Sequence, residues 1–565
     1  MANAARLRQP GVHMQPPAGQ RASALSSAHW TADDVTPILD VSVGELLRAT
    51  ASRAPETVAL VAGVADVAQR RRWTYGELLE HSVGAARALL GRFAPGDRVA
   101  IWANNVPQWV VLELAAGLAG ITVVTVNPAL RAQELVHVLG QSRADGIFLV
   151  PEYRGSDMAG MLAAVRGELP LLREVVSFAD WDAFCATGSP SERLPDVDPR
   201  DAAQIQYTSG TTWRPKGAVL HHRGIVNNAR LHRERLGLPP GSVQLTPMPL
   251  FHTAGCVLSV LGALAGADTL VLPPFFDPGL VLELAESERV DLLGGVPTML
   301  IAMLDHPRLR ATDLSSVRCL LTGGAVVPPA LVPRVEAACD APLSIVFAQT
   351  EASPVITQTA PGDDPDDRAT TLGRPLPQTE VKIVDTATGA TVTPDVVGEL
   401  CTRGYHVMAG YFDDPETTAA AIDADGWLHT GDLASMDARG YCRIAGRLTD
   451  MIIRGGENIY PREIEQVLFE HEDVADVAVL GIPDPVWGEQ VAAFIRPAAG
   501  RTPDPERLLA YCRDRLAPHK APRHWTTLDA FPLTPSGKVQ KFVLREQFVA
   551  AMADRREIAG AATEG

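Results

Sequence analysis

The chain is 565 residues long, too long for one compact core, so two or more domains are expected. Hydrophobic residues make up 46% and charged residues 21%, which excludes wholesale disorder. A net charge of -17 argues against a nucleic-acid partner, whose phosphates demand clustered Lys and Arg, so an anionic ligand must be held by local groups.

Residues 1–30 carry arginines without the apolar run of a secretory signal, and their Pro, Gly and Gln content predicts a disordered tail. From Trp73 onward, helical and short β-branched segments alternate. TYGELLEHSVGAARALLGRF has helical periodicity and RVAIWA reads as a strand. The longest apolar stretch, Val110 to Val126, is interrupted by Glu113 and breaks at Asn127-Pro128. It predicts a buried helix followed by a buried strand rather than a membrane span. GIFLV, TLVLPP, VDLLGGVP and VRCLLTGG repeat the strand, turn and helix pattern, with ligands expected beyond the carboxyl ends of the strands. Near Arg447 the texture changes. PREIEQVLFEHEDVADVAVLGIP and PERLLAYCRDRLAPHKAPRHWTTL each give an amphipathic helix and then a strand, enough for a domain of about 100 residues. The expected fold class is α/β: a large multi-layer N-terminal domain with mostly parallel sheets over 31–447, plus a small α+β C-terminal domain over 448–565. Seven cysteines are scattered with no CxxC pair and no His at metal spacing, which predicts reduced, buried thiols and a cytoplasmic location.

The segment IQYTSGTTWRPKGAVL places Thr208, Ser209, Gly210, Thr211 and Thr212 after a predicted strand, with Lys216 close behind. Hydroxyls and backbone amides in such a turn can wrap phosphate oxygens while Lys216 supplies positive charge. Gly217 follows the lysine where a Walker loop has Ser or Thr, so an ordinary P-loop NTPase is disfavoured. Alone, the segment reads equally well as a polar surface turn.

It is followed in order by PLFHTAG (249–255), TGGA (322–325), FAQTE (347–351), GWLHTGD (426–432), GRLTDMIIRGGENIYPREIE (446–465) and PLTPSGKVQK (532–541). This series resembles the adenylate-forming, AMP-binding superfamily of acyl-CoA synthetases, luciferases and peptide-synthetase adenylation domains, over roughly residues 40 to 545. The resemblance implies that a carboxylate attacks the α-phosphorus of ATP, expels pyrophosphate, and yields an acyl-adenylate. No protein nucleophile is needed, and catalysis must come from positioning two anions and neutralising charge on the phosphate oxygens.

Residue by residue, the resemblance implies Lys538 as the catalytic lysine at the α-phosphate, Thr350 as a phosphate contact, and Glu351 with Thr208 as the magnesium residues. Asp432 and Arg447 would hold the ribose. Phe347 would cover one adenine face, with Gly324 and Ala325 leaving room for the other; Gly323, Ala348, Gln349 and Ile444 complete the expected ATP (AMP) set. A hinge at Thr449 would make the small C-terminal domain mobile and then exchange Lys538 for the RGGEN segment, whose Gly455 and Gly456 would form the tunnel for coenzyme A.

VNPALRAQEL, PLFHTAGC, GGVPTML and TEASPV are more similar to the fatty-acyl-CoA ligase branch than to amino-acid activators. His252 would gate the acyl pocket, walled by Thr253, Val296, Pro297, Gly323, Ala352 and Ser353, and such walls suit a medium- or long-chain fatty acid or a related alkyl or aryl acid. The expected partners are a small carboxylic acid, ATP and CoA. Some enzymes it resembles are dimers, so a homodimer is allowed. Two positions depart from the family pattern: Trp213 stands where a small residue is usual, and Ala348 where Gly is usual. An acyl-AMP ligase that loads a separate carrier protein, and a nucleotide-binding homologue with impaired catalysis, remain open as alternatives.

Overall fold

The computed structural model describes residues 24–33, 35–208, 215–455, 457–533 and 539–561; for Asn458 and for 553–561 it describes the backbone alone. The chain divides into two units. One comprises Met1–Lys382, Cys401–Thr430 and Asp437–Cys442; the other comprises Ile383–Leu400, Gly431–Met436 and Arg443–Gly565.

Two large, mostly parallel sheets organise the first unit. In the nine-stranded sheet, Val58–Ala62, Thr269–Leu272, Val243–Leu245, Leu292–Gly294, Cys319–Gly323 and Leu343–Ala348 run side by side in that order, all parallel. Shorter strands pair antiparallel at both edges. Val61, Val271, Leu245, Leu293, Leu320 and Leu343, one from each parallel strand, share a single core with the helices Pro278–Ser287, Pro297–Asp305 and Leu331–Cys339. In the seven-stranded sheet Arg98–Trp102, Thr122–Val126 and Ala202–Thr208 are neighbours, and Lys216–His221 turns back antiparallel against Ala202–Thr208.

The local sequence explains how the helices start and stop. Tyr75–Leu90 begins at a capping box, in which the Thr74 side chain accepts from Glu77 N–H and the Glu77 carboxylate accepts from Thr74 N–H. The apolar stretch at 110–126 is the helix Pro107–Ala119 and the strand Thr122–Val126. Pro107 opens the helix, and Gly120 closes it at φ 68°, donating its N–H to Ala116 O. Glu113 lies buried within that helix and accepts from Gln204 Nε2 at 2.6 Å.

In the second unit Val474–Asp484 and Gly488–Pro497 form an antiparallel pair, with His524–Thr527 parallel to the latter. Val477, Val479, Val491, Ala493 and Ile495 pack on one face with the helices Pro461–Phe469 and Pro505–Arg513. Ala478, Leu480, Ile482, Ala492 and Phe494 face the other way, against Leu544, Phe548 and Met552 of the helix Lys541–Ala561. Both faces are therefore apolar, as the two-residue repeat of a strand covered on two sides requires.

All seven cysteines are free and all but Cys185 are buried. Among the described residues, no helix is long and apolar enough to cross a membrane.

Candidate active site

Four of the motifs come together because their strands are neighbours. PLFHTAG follows Val243–Leu245, GGVP closes Leu292–Gly294, TGGA closes Cys319–Gly323, and FAQTE closes Leu343–Ala348. These are four consecutive parallel strands, so all four turns emerge at one carboxyl edge, the place where an open α/β sheet binds its ligand.

Close approach fixes the glycines of these turns. A Cβ at Gly323 would lie 2.5 Å from Val346 Cγ2 and 2.6 Å from Val346 O. Gly324 has φ +74° and its Cβ position is 3.7 Å from Val296 Cγ1, which brings the TGGA turn against the GGVP turn. Ala325 is exposed beside it, while Val296 and Pro297 are buried, Pro297 opening the helix Pro297–Asp305. At Gly255 a Cβ would lie 2.2 Å from Pro249 O, so the turn carrying His252 folds tightly onto the π-helix Ala254–Leu261. His252 is half-buried with its ring centroid 5.4 Å from that of Phe251, and Thr253 is buried.

Phe347, Ala348, Gln349, Thr350 and Glu351 are all half-buried at the end of their strand. A bulge between Phe347 and Ala348 shifts the register against Val355–Gln358 and turns the chain toward Gln349. Gln349 N–H donates to Pro354 O at 2.9 Å and its Nε2 donates to Thr430 O at 2.7 Å, which ties the run to the GWLHTGD segment. Ala352 and Ser353 are fully buried, and among the described residues Ser353 Oγ has no hydrogen-bond partner. Glu351 is gripped twice: its carbonyl accepts from Met408 N–H at 2.9 Å and its Oε1 accepts from the Tyr411 hydroxyl at 2.8 Å.

Thr208 ends the strand Ala202–Thr208, and Lys216 opens the returning strand opposite it. Lys216 Nζ sits 5.3 Å from the centroid of the Tyr411 ring. Ser209, Gly210, Thr211, Thr212 and Trp213, between the two strands, lie outside the described residues, as do Gly456 and Lys538.

In the second unit Asp432 is buried and Arg447 exposed, with Arg447 Nε 3.3 Å from Asp432 Oδ1. Ile444 is half-buried on the strand Cys442–Arg447 that leads to Arg447. Thr449 is exposed just beyond it. Gly455 has φ +61° and donates its N–H to Trp487 O at 2.8 Å, and a Cβ there would lie 2.7 Å from Trp487 Cε3.

Sequence reasoning missed Tyr411. Its only local signal is an aromatic residue ahead of an acidic turn, and its importance depends on the pairing of Gly410–Tyr411 with the strand after the phosphate loop.

Residues 47–412 match the family described as AMP-binding enzyme, and residues 463–538 match the AMP-binding enzyme C-terminal domain. The chain belongs to the AMP-binding enzyme family. Among its relatives is the mitochondrial medium-chain acyl-CoA ligase ACSF2 of Rattus norvegicus, 36% identical over 544 residues, covering 90% of this chain and 88% of that one. Another is a Mycobacterium tuberculosis CoA ligase for a propanoyl group on a methyl-dioxo-octahydroindene ring, 40% identical over 493 residues and covering 85% and 95% of the two chains. Of solved structures, ATP-bound MatB from Rhodopseudomonas palustris superposes with a TM-score of 0.82 at 28% identity, covering 90% of this chain and 99% of that one. This AMP-binding enzyme is an AMP-forming acyl-CoA synthetase, and its α/β architecture is the one the alternation of helix and strand predicted.

Proposed function

We propose that this acid:CoA ligase activates a medium- or long-chain fatty acid or a related apolar alkyl or aryl acid. The observation that carries the reading is the convergence of the His252, Val296, Gly323 and Glu351 turns at one edge of four adjacent parallel strands. Buried Thr253, Val296, Pro297, Ala352 and Ser353 support an acyl pocket of apolar character, with His252 at its mouth. Chain-length discrimination in such a pocket is worth on the order of 1–3 kcal/mol per methylene, so a family of related acids is expected as substrates.

In the first half-reaction, Phe347, Gly324 and Ala325 receive the adenine, Asp432 accepts hydrogen bonds from the ribose hydroxyls with Arg447 beside it, and Thr350 and Lys216 meet the phosphates. Gly323, Ala348 and Gln349 line the same nucleotide site, the resemblance adds Ile444 to the nucleotide set, and it assigns Ser209 to Thr212 to the phosphates. The oxygen donors of Thr208 and Glu351 fit a magnesium ion, a hard cation that takes oxygen ligands. When bound, magnesium would neutralise charge on the nucleotide phosphates. Lys538 contributes positive charge at the α-phosphate and substrate carboxylate. Residues beyond Thr449 then exchange Lys538 for the RGGEN segment, and CoA attacks the acyl-adenylate.

A panel of carboxylic acids with ATP, assayed for pyrophosphate and AMP release with and without CoA, tests substrate and acceptor together. CoA-dependent thioester formation with apolar acids is expected; acid-dependent pyrophosphate release without any thioester would point to a carrier-protein acceptor. Lys538→Ala is expected to lower the adenylation rate by a hundredfold or more, the scale of removing one charge-stabilising group, while CoA transfer from preformed acyl-adenylate is largely kept. Equal loss in both half-reactions would refute that role.

A further inference from the structure

Tyr411 is fixed through its backbone. It ends the strand Gly410–Tyr411, which pairs with Lys216–His221. Its N–H donates to Thr418 Oγ1 at 2.8 Å, and the next residue, Phe412, donates its N–H to Gly217 O at 2.8 Å. From this position its side chain reaches two residues of the adenylation site: the hydroxyl donates to Glu351 Oε1 at 2.8 Å, and the ring lies under Lys216 Nζ at 5.3 Å. The same ring borders a cavity of about 200 Å³, together with His137, Gln141, Lys216 and Asp414.

We infer that Tyr411 is a positioning residue for adenylation: it orients the Glu351 carboxylate for a divalent cation and holds Lys216 beside the phosphate loop. The inference rests on the reading of Glu351 as the cation residue. The last torsion of a glutamate is broad and two-fold, so an unanchored carboxylate must be ordered when a cation binds. A fixed donor on one carboxylate oxygen supplies that order beforehand. The cation–π contact does the same for a flexible lysine.

The test is a titration of the full-length enzyme plus ATP with Mn2+, a hard cation visible by electron paramagnetic resonance. Tyr411→Phe keeps the ring and loses the hydroxyl; it is expected to raise the Mn2+ Kd about tenfold, the scale of one hydrogen bond to a charged group, with the KM for the acid unchanged. Glu351→Gln is expected to raise it further. The double variant should bind Mn2+ no more weakly than Glu351→Gln alone, because Tyr411 acts through Glu351. Wild-type Mn2+ affinity in Tyr411→Phe, or fully additive losses, would overturn the inference while leaving the role of Glu351 intact. Wild-type affinity in Glu351→Gln would remove the cation assignment itself and the inference with it. Tyr411→Leu also strips the ring from Lys216 and should weaken ATP binding without any cation, which Tyr411→Phe preserves; equal cation-free binding by the two overturns the lysine half. Should Tyr411→Phe fail to fold, Thr418→Val releases the Tyr411 N–H from its acceptor and carries the same cation test, with wild-type affinity again the overturning result.

Discussion

Glu113 shows how a residue that reads as an interruption can belong to the core. Its Oε1 accepts from Gln204 Nε2, and Gln204 Oε1 accepts from Gln206 Nε2 at 2.8 Å. Gln206 Nε2 also lies 3.1 Å from Cys256 Sγ, and that thiol donates to His252 O at 3.3 Å. A chain of buried polar groups thus runs from the helix Pro107–Ala119 to the turn that carries His252. Burial raises the Glu113 pKa well above the usual carboxylate range, which favours the neutral acid, and among the described residues Oε2 has no partner. Glu113→Gln is therefore expected to cost under about 1 kcal/mol of stability. Glu113→Leu leaves the Gln204 amide without its acceptor and should cost about 1–3 kcal/mol, read from urea unfolding. At this scale the candidate site residues were legible through the motifs that hold them, whereas Tyr411 was not. A tyrosine announces nothing until its hydroxyl is seen on Glu351.

Elements are held where their ends find partners. The helix His222–Arg235 starts at His221, whose Nδ1 accepts from Gly224 N–H at 2.8 Å, and near its end Arg233 grips Asp268 through Nε and Nη2 at 2.8 and 2.9 Å. Both partners are buried, and Asp268 also accepts from Ser242 N–H at 3.0 Å. Removing one side strands a buried charge. Arg233→Met is expected to lose about 3–5 kcal/mol in chemical denaturation while catalytic constants per folded molecule hold. The elements that sequence reading passed over have physical reasons for their silence. Gly488–Pro497 is apolar on both faces, so the alternation that marks a half-buried strand is absent. Among its described side chains, Lys541–Ala561 packs a narrow stripe of Leu544, Phe548 and Met552, four residues apart, against the core, a signal that was present but thin. The π-helix Ala254–Leu261 lies in an apolar run whose hydrogen-bond spacing composition does not encode.

For the molecule as a whole, buried histidines are one source of instability in acid. Burial pushes His222 and His232 down to about 4 and His406 down to about 3, from an ordinary value near 6.5. Above about 6.5 these side chains are neutral in both the folded and unfolded chain, and they contribute no pH dependence. As pH falls from there toward 4, the unfolded chain takes up protons that the folded protein refuses. Stability therefore falls with falling pH, by about 1.4 kcal/mol per pH unit for each histidine. Urea midpoints measured between pH 7 and 4 should drop, and His232→Gln, which removes one of these groups, should make the drop shallower.

The sequence by itself determined the family, because its motifs recur in the family's order, and through that resemblance it named the candidate site residues. It also determined the alternation of helix and strand, since each element buries its own stripe or face. The order of the strands was decided only by the tertiary structure. Sheet neighbours are chosen by contacts between residues far apart in the chain, and those contacts bring Val243–Leu245, Leu292–Gly294, Cys319–Gly323 and Leu343–Ala348 side by side with their motif turns at one edge. The same long-range pairing sets Gly410–Tyr411 against the strand that opens at Lys216, and so brings the Tyr411 hydroxyl to Glu351.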